Sequence, residues 1–207
     1  AFDNNLRPEG SFLGQVAAYR NEFPAVSFAL DAHEDERVAT ELIEYRADQA
    51  VRIHTATNPH LETIAAVPSR IAALVRREHP LAGRNEARLY DICDFPLILP
   101  RAGSLTRILR TATTRMQLHP HLACECDPSF ARPLLLSSDA VGFDVETEFS
   151  SYGDPDLVKV PLARRDYPSV YVHFMHLRGR GLSVAAGRFA EKIKRAFSTV
   201  EEATAAE

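Results

Sequence analysis

The stretch from Leu74 to Leu109 constrains the fold of this chain more than any other part of the sequence. Apolar runs at residues 70–77 and 95–99 predict two strands, and the second leads into Pro-Arg-Ala-Gly-Ser at residues 100–104. A helical pattern starts directly after this loop. A small-residue loop between a strand and a helix presents backbone N–H groups and the positive end of the helix dipole. The sequence therefore predicts an anion-binding loop here.

Length, charge and cysteine content narrow the class of protein. At 207 residues and 45% hydrophobic, the chain can bury a core as one domain or two small lobes. No apolar run reaches the roughly 20 residues of a transmembrane helix, and no signal peptide pattern is visible. The 24 basic and 28 acidic side chains give a net charge of −4, which disfavours nucleic acid binding by this chain alone. Three cysteines are an odd number, so we expect free thiols and a cytoplasmic location.

Helical and strand patterns alternate along the chain. Apolar residues recur at helical spacing from Phe12 to Phe23 and again at 35–46. Further predicted strands lie at residues 26–32, 49–53, 61–67, 122–126, 140–145, 157–160 and 170–177. Alternation of this kind predicts an α/β fold with largely parallel strands.

Three polar residues are expected to cap helices. Ser104 precedes one helical pattern, Asp127 is followed by Pro128 at the first helical position, and Ser183 precedes the last helical pattern. Pro133 lies inside the helix predicted after Asp127, where a proline is expected to distort the backbone.

Five segments occur in a fixed order along the chain. They are YRNEFP at 19–24, a strand ending in HPLAG at 74–83, DFPLILP at 94–100 with Gly103 and Ser104, LLLSSDAVGF at 134–143, and a strand–turn–helix pattern at 170–197. Together they resemble the effector-binding (regulatory) domain of LysR-type transcriptional regulators, and the resemblance covers nearly the whole chain.

The resemblance implies a type 2 periplasmic-binding-protein-like fold, with two α/β lobes joined by two crossing strands and a cleft between them. Lobe one would comprise residues 1–76 plus 174–207 and lobe two residues 77–173, with crossing strands at 70–77 and 170–177. The family's N-terminal DNA-binding helix-turn-helix is absent from this chain, and its first strand is missing or reduced to residues 1–3. We expect a small-molecule effector as ligand, and contact with DNA only through the absent N-terminal domain.

Self-association is also implied by the resemblance. The helix from Phe12 to Phe23 would pack against the partner's helix from Ser104 to Met116. Both helices carry apolar stripes that suit an interface, and the same stripes suit the core of their own lobe.

Candidate effector-binding residues follow the predicted strands, because ligands of α/β folds meet the loops at strand carboxyl ends. The loop with Arg101, Gly103 and Ser104 is the leading candidate; in the alternative interpretation Ser104 only caps its helix and Arg101 is a solvated charge. The resemblance adds Asn4 and Asn5, which stand where the family's first strand leads into its first helix.

Further candidates come from other strand ends. Arg52 and His54 follow the third strand of lobe one, and a guanidinium can bind a carboxylate with two hydrogen bonds. Ser129 and Phe130 begin the helix after residue 126, where family members often present a polar side chain to the ligand.

Two acidic residues depart from the family pattern. Asp144 and Glu146 follow a predicted strand at a position where the family usually has an apolar residue and proline. They are either surface charges, which we favour, or they indicate a cationic or polyhydroxy effector rather than a carboxylate.

The sequence predicts neither a metal nor a cofactor. The cluster of His119, His121, Cys124 and Cys126 is the strongest metal candidate, but on a strand His121 lies on the face opposite both cysteines, and no Cys-x-x-Cys pair is present. No phosphate-binding loop or catalytic motif is found, so we expect no enzyme activity.

Two alternatives to a bacterial regulator remain at this point. A solute-binding protein for transport would have the same fold, although the free cysteines and the lack of a visible signal peptide disfavour it. An enzyme on this fold would need a pocket acid or nucleophile with a shifted pKa.

Overall fold

Helices and strands alternate along the chain in the computed structural model, which confirms the predicted α/β class. The strands are β1 Phe2–Asp3, β2 Ala32–His33, β3 Ala50–His54, β4 Leu61–Arg76, β5 Leu97–Pro100, β6 Leu122–Cys126, β7 Gly142–Thr147, β8 Leu157–Pro161 and β9 Val170–Leu177. The helices are α1 Gly10–Glu22, α2 Asp35–Ile43, α3 Leu89–Ile92, α4 Ser104–Arg115, α5 Pro128–Leu136 and α6 Val184–Thr204, with a 3₁₀ turn at Arg164–Asp166.

The structure describes residues 1–3, 6, 10–54, 58–147 and 154–204, with the side chains of 10, 11, 35, 54 and 198–204 left out. These residues divide into two units. Unit 1 holds the described residues of Ala1–Pro68, Thr147 and those of Tyr171–Glu207, whereas unit 2 holds Ser69–Glu146 and 154–170. The lobe boundaries and the cleft implied by the family resemblance stay predictions.

Unit 1 is built on a mixed sheet in the order β2-β1-β3-β9-β4. Phe2 pairs with Val51, and Val51 pairs with Phe174, so these three side chains lie on one face. There the Phe12 ring packs edge-on against Phe2 and stacked on Phe174, with ring centroids 4.8 and 5.7 Å apart. On the other face, α2 buries Val38 and Leu42 against a second cluster, made of Ala50, Leu61 and Met175.

Unit 2 contains the parallel pair β5–β6, and β7 is linked to β5 by a parallel bridge between Leu97 and Val141. Helix α5 covers this sheet, and Leu135 packs with Ile98 and Cys126 in the core. The carboxyl ends of β5 and β6 therefore lie at one edge of unit 2, which we call the carboxyl edge.

Several predicted elements are confirmed and others are wrong. Predicted strands at 122–126 and 170–177 match β6 and β9, and α5 includes Pro133 as expected. The predicted strand at 26–32 is wrong, because only Ala32 and His33 have a partner strand, β1. The strands predicted separately at 61–67 and 70–77 form one strand, β4, which runs through Pro68 because the φ angle of proline is compatible with extended backbone.

The expectation of largely parallel strands is only partly right. The pairs β1–β2, β1–β3 and β5–β6 are parallel. In contrast, β9 runs antiparallel to β3 and β8 runs antiparallel to β4. The sequence pattern of a strand carries no information on its direction relative to its neighbours, which depends on tertiary contacts.

Candidate functional site

Two of the predicted site loops are neighbours at the carboxyl edge of unit 2. Pro100 at the end of β5 pairs with Cys126 at the end of β6, and the N–H of Arg101 donates to the Cys126 carbonyl at 3.1 Å. The loop with Arg101 and Gly103 therefore lies beside the start of α5, where Ser129 and Phe130 are found.

Asp144 lies on the strand that begins beside β5. The Ile98 N–H donates to the Val141 carbonyl at 2.9 Å, beside the parallel bridge between Leu97 and Val141. Beyond this bridge β7 belongs to the sheet of β4, whereas β5 and β6 form a separate two-stranded sheet. The structure thus gathers Arg101, Gly103, Ser104, Ser129 and Phe130 at the carboxyl edge, while Asp144 lies on β7.

Arg101 is the exposed cation of this edge. Among the residues that the structure describes, none forms an ion pair or hydrogen bond with its guanidinium group. Its charge nevertheless acts on Asp127. The pKa of Asp127 is lowered chiefly by hydrogen bonds from the hydroxyl and N–H of Ser129, and additionally by the charge of Arg101. The guanidinium is thus close to the N-terminus of α5 and exposed.

The prediction that Ser104 caps α4 is wrong, because Gly103 occupies the N-cap position and Ser104 is the first helical residue. Gly103 has φ 121° and ψ 175°, a conformation that side-chain-bearing residues rarely adopt. Ser104 is buried, and its Oγ accepts a hydrogen bond from Nη2 of Arg107 at 3.0 Å. Thr106 closes the loop, because its hydroxyl donates a hydrogen bond to the Pro100 carbonyl at 2.7 Å.

At the start of α5 the predicted capping is confirmed. Asp127 accepts hydrogen bonds from the N–H and the hydroxyl of Ser129, at 2.9 and 2.7 Å. The Ser129 hydroxyl is therefore already bonded to a cap carboxylate. Phe130 is 64% exposed and offers an apolar surface beside the polar loop.

The two acidic residues of β7 are both paired with cations. Asp144 is only 5% exposed and its Oδ2 lies 2.9 Å from Nζ of Lys159, while its Oδ1 accepts from the Val145 N–H at 2.9 Å. Glu146 lies 2.9 Å from Nε of Arg70. The interpretation of Asp144 as a surface charge is wrong, because its side chain is buried and paired with Lys159.

The predicted site residues of unit 1 are distributed differently. Asn4 and Asn5 lie outside the described residues, and so does the side chain of His54. Arg52 is only 6% exposed and lies on the sheet face that α2 covers, next in register to the fully buried Asp3. Both residues have interaction partners, and the low exposure of Arg52 makes it part of the interior.

Lys159 and Arg70 are the partners of the β7 acids that could not be predicted from the sequence. Each pairs with an acid that is distant in the chain: Lys159 is 15 residues from Asp144, and Arg70 is 76 residues from Glu146. No local pattern could have identified them, because the pairs form only when β4, β7 and β8 assemble into a sheet.

No metal-binding cluster is evident in the part of the chain that the structure describes, where no three or more His, Cys, Asp or Glu side chains are grouped. Cys124 and Cys126 instead pack in the core of unit 2 under α5. Burial is the main cause that raises the pKa of the Cys126 thiol. Among the described helices, none has the length and apolar character needed to cross a bilayer.

Comparison with known proteins identifies one family. The family model described as LysR substrate binding domain matches residues 10–198. The PA01 protein of Pseudomonas aeruginosa, assigned to the LysR family of transcriptional regulators, is 21% identical with a TM-score of 0.71; the match covers 89% of this chain but only 64% of that one. A search of curated proteins gave no match.

Two similar structures contain a bound ligand. The effector-binding domain of QuiR in complex with shikimate is 14% identical, covers 91% of each chain and has a TM-score of 0.75. The regulatory domain of CcmR from Synechocystis, in complex with 2-PG, is 16% identical, with 95% and 94% coverage and a TM-score of 0.76. These similarities confirm the predicted type 2 periplasmic-binding-protein-like fold.

Proposed function

Because the chain belongs to the LysR substrate binding domain family, we propose that it senses a small anionic effector as the regulatory domain of a bacterial LysR-type transcriptional regulator. The carboxyl edge of unit 2 contributes the anion-binding part of the site. The main support for this proposal is the guanidinium of Arg101, which is unpaired among the described residues and lies beside the N-terminal ends of α4 and α5.

The charge balance at this edge favours an anion. Asp127 is engaged as the cap of α5, and Asp144 and Glu146 are neutralised by Lys159 and Arg70. The acids of β7 therefore do not support a cationic effector, whereas Arg101 and the N-terminus of α4 have no carboxylate bonded to them among the described residues. Shikimate, the ligand of the QuiR domain, is itself a carboxylate, which agrees with this class.

Each neighbouring residue has a role in the proposed site. Gly103 lets the backbone approach the anion closely, because it has no side chain above the loop. Phe130 contacts the apolar part of the effector, while the Ser104 hydroxyl orients Arg107 and the Ser129 hydroxyl orients Asp127. Asp144 acts indirectly, by holding Lys159.

Titration of the domain with a panel of small carboxylates and their neutral amides tests the effector class. We expect at least one carboxylate to raise the melting temperature while its amide does not. Arg101→Gln should weaken binding about tenfold to a hundredfold, as expected for loss of a charge-assisted contact.

Arg110→Gln is the matched control, because this arginine pairs with Glu125 on the outer side of α4. It should bind the same carboxylate as the unmodified domain does. If Arg101→Gln and Arg110→Gln bind equally well, Arg101 is not part of the site. If only amines or neutral sugars bind, the proposed effector class is wrong.

We also propose that the domain self-associates through the outer faces of α1 and α4. The apolar stripes of both helices are buried in their own units, including Phe12, Val16 and Tyr19 of α1. The exposed face of α1 includes Leu13, Gly14, Ala17 and Ala18, and that of α4 includes Arg107, Arg110, Thr111 and Thr114. Small apolar residues on α1 suit packing against the aliphatic stems of the α4 arginines.

Sedimentation analysis of Ala18→Arg tests this interface, and Ala25→Arg, at an exposed site outside α1, is the control. We expect only the first variant to shift the domain toward monomer. Equal association of the two variants would contradict the interface. Contact with DNA is proposed only through a separate DNA-binding domain, in a cytoplasmic regulator.

A further inference from the structure

Two thiols lie side by side on β6 in unit 2. Cys124 pairs with Ile98 and Cys126 pairs with Pro100, so both cysteines present their side chains to the same face of the β5–β6 sheet. Helix α5 covers this face, and the two thiols hydrogen-bond to one another. Cys126 is 8% exposed, whereas Cys124 is partly exposed and open to small solutes. The proposed effector site uses neither thiol.

The spacing of the two thiols fits a bridging metal ion better than a disulfide. Residues i and i+2 of an extended strand are about 6.6 Å apart, whereas the Cβ atoms of a disulfide are about 3.5–4.5 Å apart. A direct bond between the sulfurs would therefore bend β6. A metal–sulfur bond is about 2.3 Å long, so a linear sulfur–metal–sulfur unit separates its sulfurs by about 4.6 Å. Two side chains that lean toward each other span this distance on a straight strand.

The number of available ligands selects the kind of ion. In the described part of the chain, no third His, Cys, Asp or Glu joins the two thiols in a group that could hold a metal. A pair of thiols is too small for Zn²⁺, which takes four protein ligands in structural sites and three in catalytic sites. Soft ions such as Cu⁺ prefer thiolates, and two thiolates in a linear arrangement satisfy this ion.

The surroundings of the two thiols can balance the charge of such a complex. Cu⁺ replaces the two thiol protons, which pass to solvent, and the resulting bis-thiolate carries a single negative charge. Burial is the main cause that raises the pKa of the Cys126 thiol, and Cys124 and Asp127 add to it, whereas the charge of Arg101 lowers it. The Arg101 guanidinium and the N-terminal end of α5 are therefore placed to stabilise a negative complex.

We propose that Cys124 and Cys126 form a two-coordinate site for Cu⁺, with both sulfurs as thiolate ligands. The metal enters past Cys124, which is the more exposed of the two residues. Neither the metal nor the sulfurs change oxidation state, because binding exchanges two protons for one metal ion. The proposal does not depend on the class of effector.

Competition for Cu⁺ tests the stoichiometry and the ligands. The domain is titrated under nitrogen into the coloured complex of Cu⁺ with bicinchoninate, and loss of colour measures transfer of the metal. We expect each chain to withdraw one equivalent of Cu⁺. Cys124→Ser and Cys126→Ala should each weaken binding by about a hundredfold or more, because loss of a ligand costs more than loss of an outer-shell contact.

Cys93→Ser is the matched control, because Cys93 is a partly buried thiol at the C-cap of α3 with no other cysteine near it in the chain. This variant should bind Cu⁺ as tightly as the unmodified domain does. Equal affinity of all three variants would overturn the proposal, because binding would then not require the pair. Binding of Zn²⁺ through the same two cysteines, as tightly as Cu⁺, would contradict the two-coordinate site.

Alkylation of the unmodified domain gives a readout that does not depend on the folding of a variant. Iodoacetamide is applied with and without one equivalent of Cu⁺, and each cysteine is followed by mass spectrometry. We expect Cu⁺ to slow the modification of Cys124 by about tenfold or more, because the metal occupies the sulfur that must act as nucleophile. Cys93 should react at an unchanged rate. If Cys124 reacts equally fast with and without Cu⁺, or if Cys93 is protected to the same extent, the assignment is wrong.

Discussion

In unit 2, two guanidinium nitrogens of Arg88 bind the carboxylate of the buried Asp166. Nε of Arg88 lies 2.9 Å from each carboxylate oxygen of Asp166, and Nη2 lies 2.8 Å from Oδ1. The Leu89 N–H donates to Oδ2 at 2.8 Å. The main-chain carbonyl of Asp166 accepts from Nη2 of Arg115 at 3.0 Å. One short turn is thereby tied to both α3 and α4.

Asp166→Asn should destabilise the domain by about 2–3 kcal/mol, because a charged, buried hydrogen-bond acceptor is lost. Burial would by itself raise the pKa of Asp166, but the hydrogen bonds from Arg88 and Leu89 outweigh it and lower the pKa. The stability from this pair is therefore present above the carboxylate's unfolded pKa and lost as pH falls through its lower folded pKa.

Urea unfolding of Asp166→Asn at neutral and acid pH measures both effects. Arg84→Gln, which breaks the more exposed pair of Arg84 with Asp91, is the control and should cost at most about 1 kcal/mol. If the two substitutions have the same effect, the Arg88–Asp166 pair contributes no more than a surface pair.

Burial of His79 makes stability fall toward acid pH. Its Nδ1 accepts from the Leu81 N–H and its Nε2 contacts the Asp139 carbonyl, each at 3.1 Å, so the ring is neutral and donates from Nε2. Burial lowers its pKa from 6.5. Since the unfolded state binds the proton more tightly, unfolding free energy decreases as pH falls below 6.5 and levels off below the folded pKa.

Urea midpoints between pH 8 and pH 5 test the role of His79. His79→Gln should be less stable at pH 8 and should lose part of the pH dependence below about 6.5. His119→Gln, at an exposed histidine, should retain the full dependence. If the urea midpoint depends on pH in the same way in the unmodified domain and both variants, the pH effect belongs to other groups.

Gly103→Ala should destabilise the domain by about 1–3 kcal/mol, because φ 121° at this position strains a residue with a side chain. Gly14→Ala is the matched control. A Cβ added at Gly14 would have no atom within 4 Å. Gly14 lies in α1, where alanine is favoured over glycine by up to about 1 kcal/mol. The melting temperature should therefore fall for Gly103→Ala and rise for Gly14→Ala. An unchanged melting temperature of Gly103→Ala would show that this position is not strained by a side chain.

Gln117→Gly should stabilise the domain by about 1 kcal/mol. Gln117 follows the C-cap of α4 with φ 57°, a left-handed conformation that costs glycine least. Urea unfolding against Gln117→Ala separates this effect from loss of the side chain, since alanine keeps the strain. Equal stabilities of the two variants would show that the backbone angle is not limiting.

Local physical rules account for the parts of the fold that could be predicted. The strand Val170–Leu177 is predicted with its observed bounds, because its composition favours extended backbone without help from a particular neighbour. The prediction of the cap at Asp127 is confirmed because its hydrogen bonds come from Ser129, only two residues away. By contrast, residues 26–32 have the same alternation as a strand but lack a partner along most of their length.

The sequence by itself determined the α/β class, the family resemblance and the loop with Arg101, because each depends on residues that are close together in the chain. Only the tertiary structure decided which charges remain available. It paired Asp144 with Lys159, buried Arg52 under α2 and left the Arg101 guanidinium unpaired among the described residues. The physical reason is that a charge is neutralised by whatever lies within a few ångströms in space, and strand assembly sets those distances.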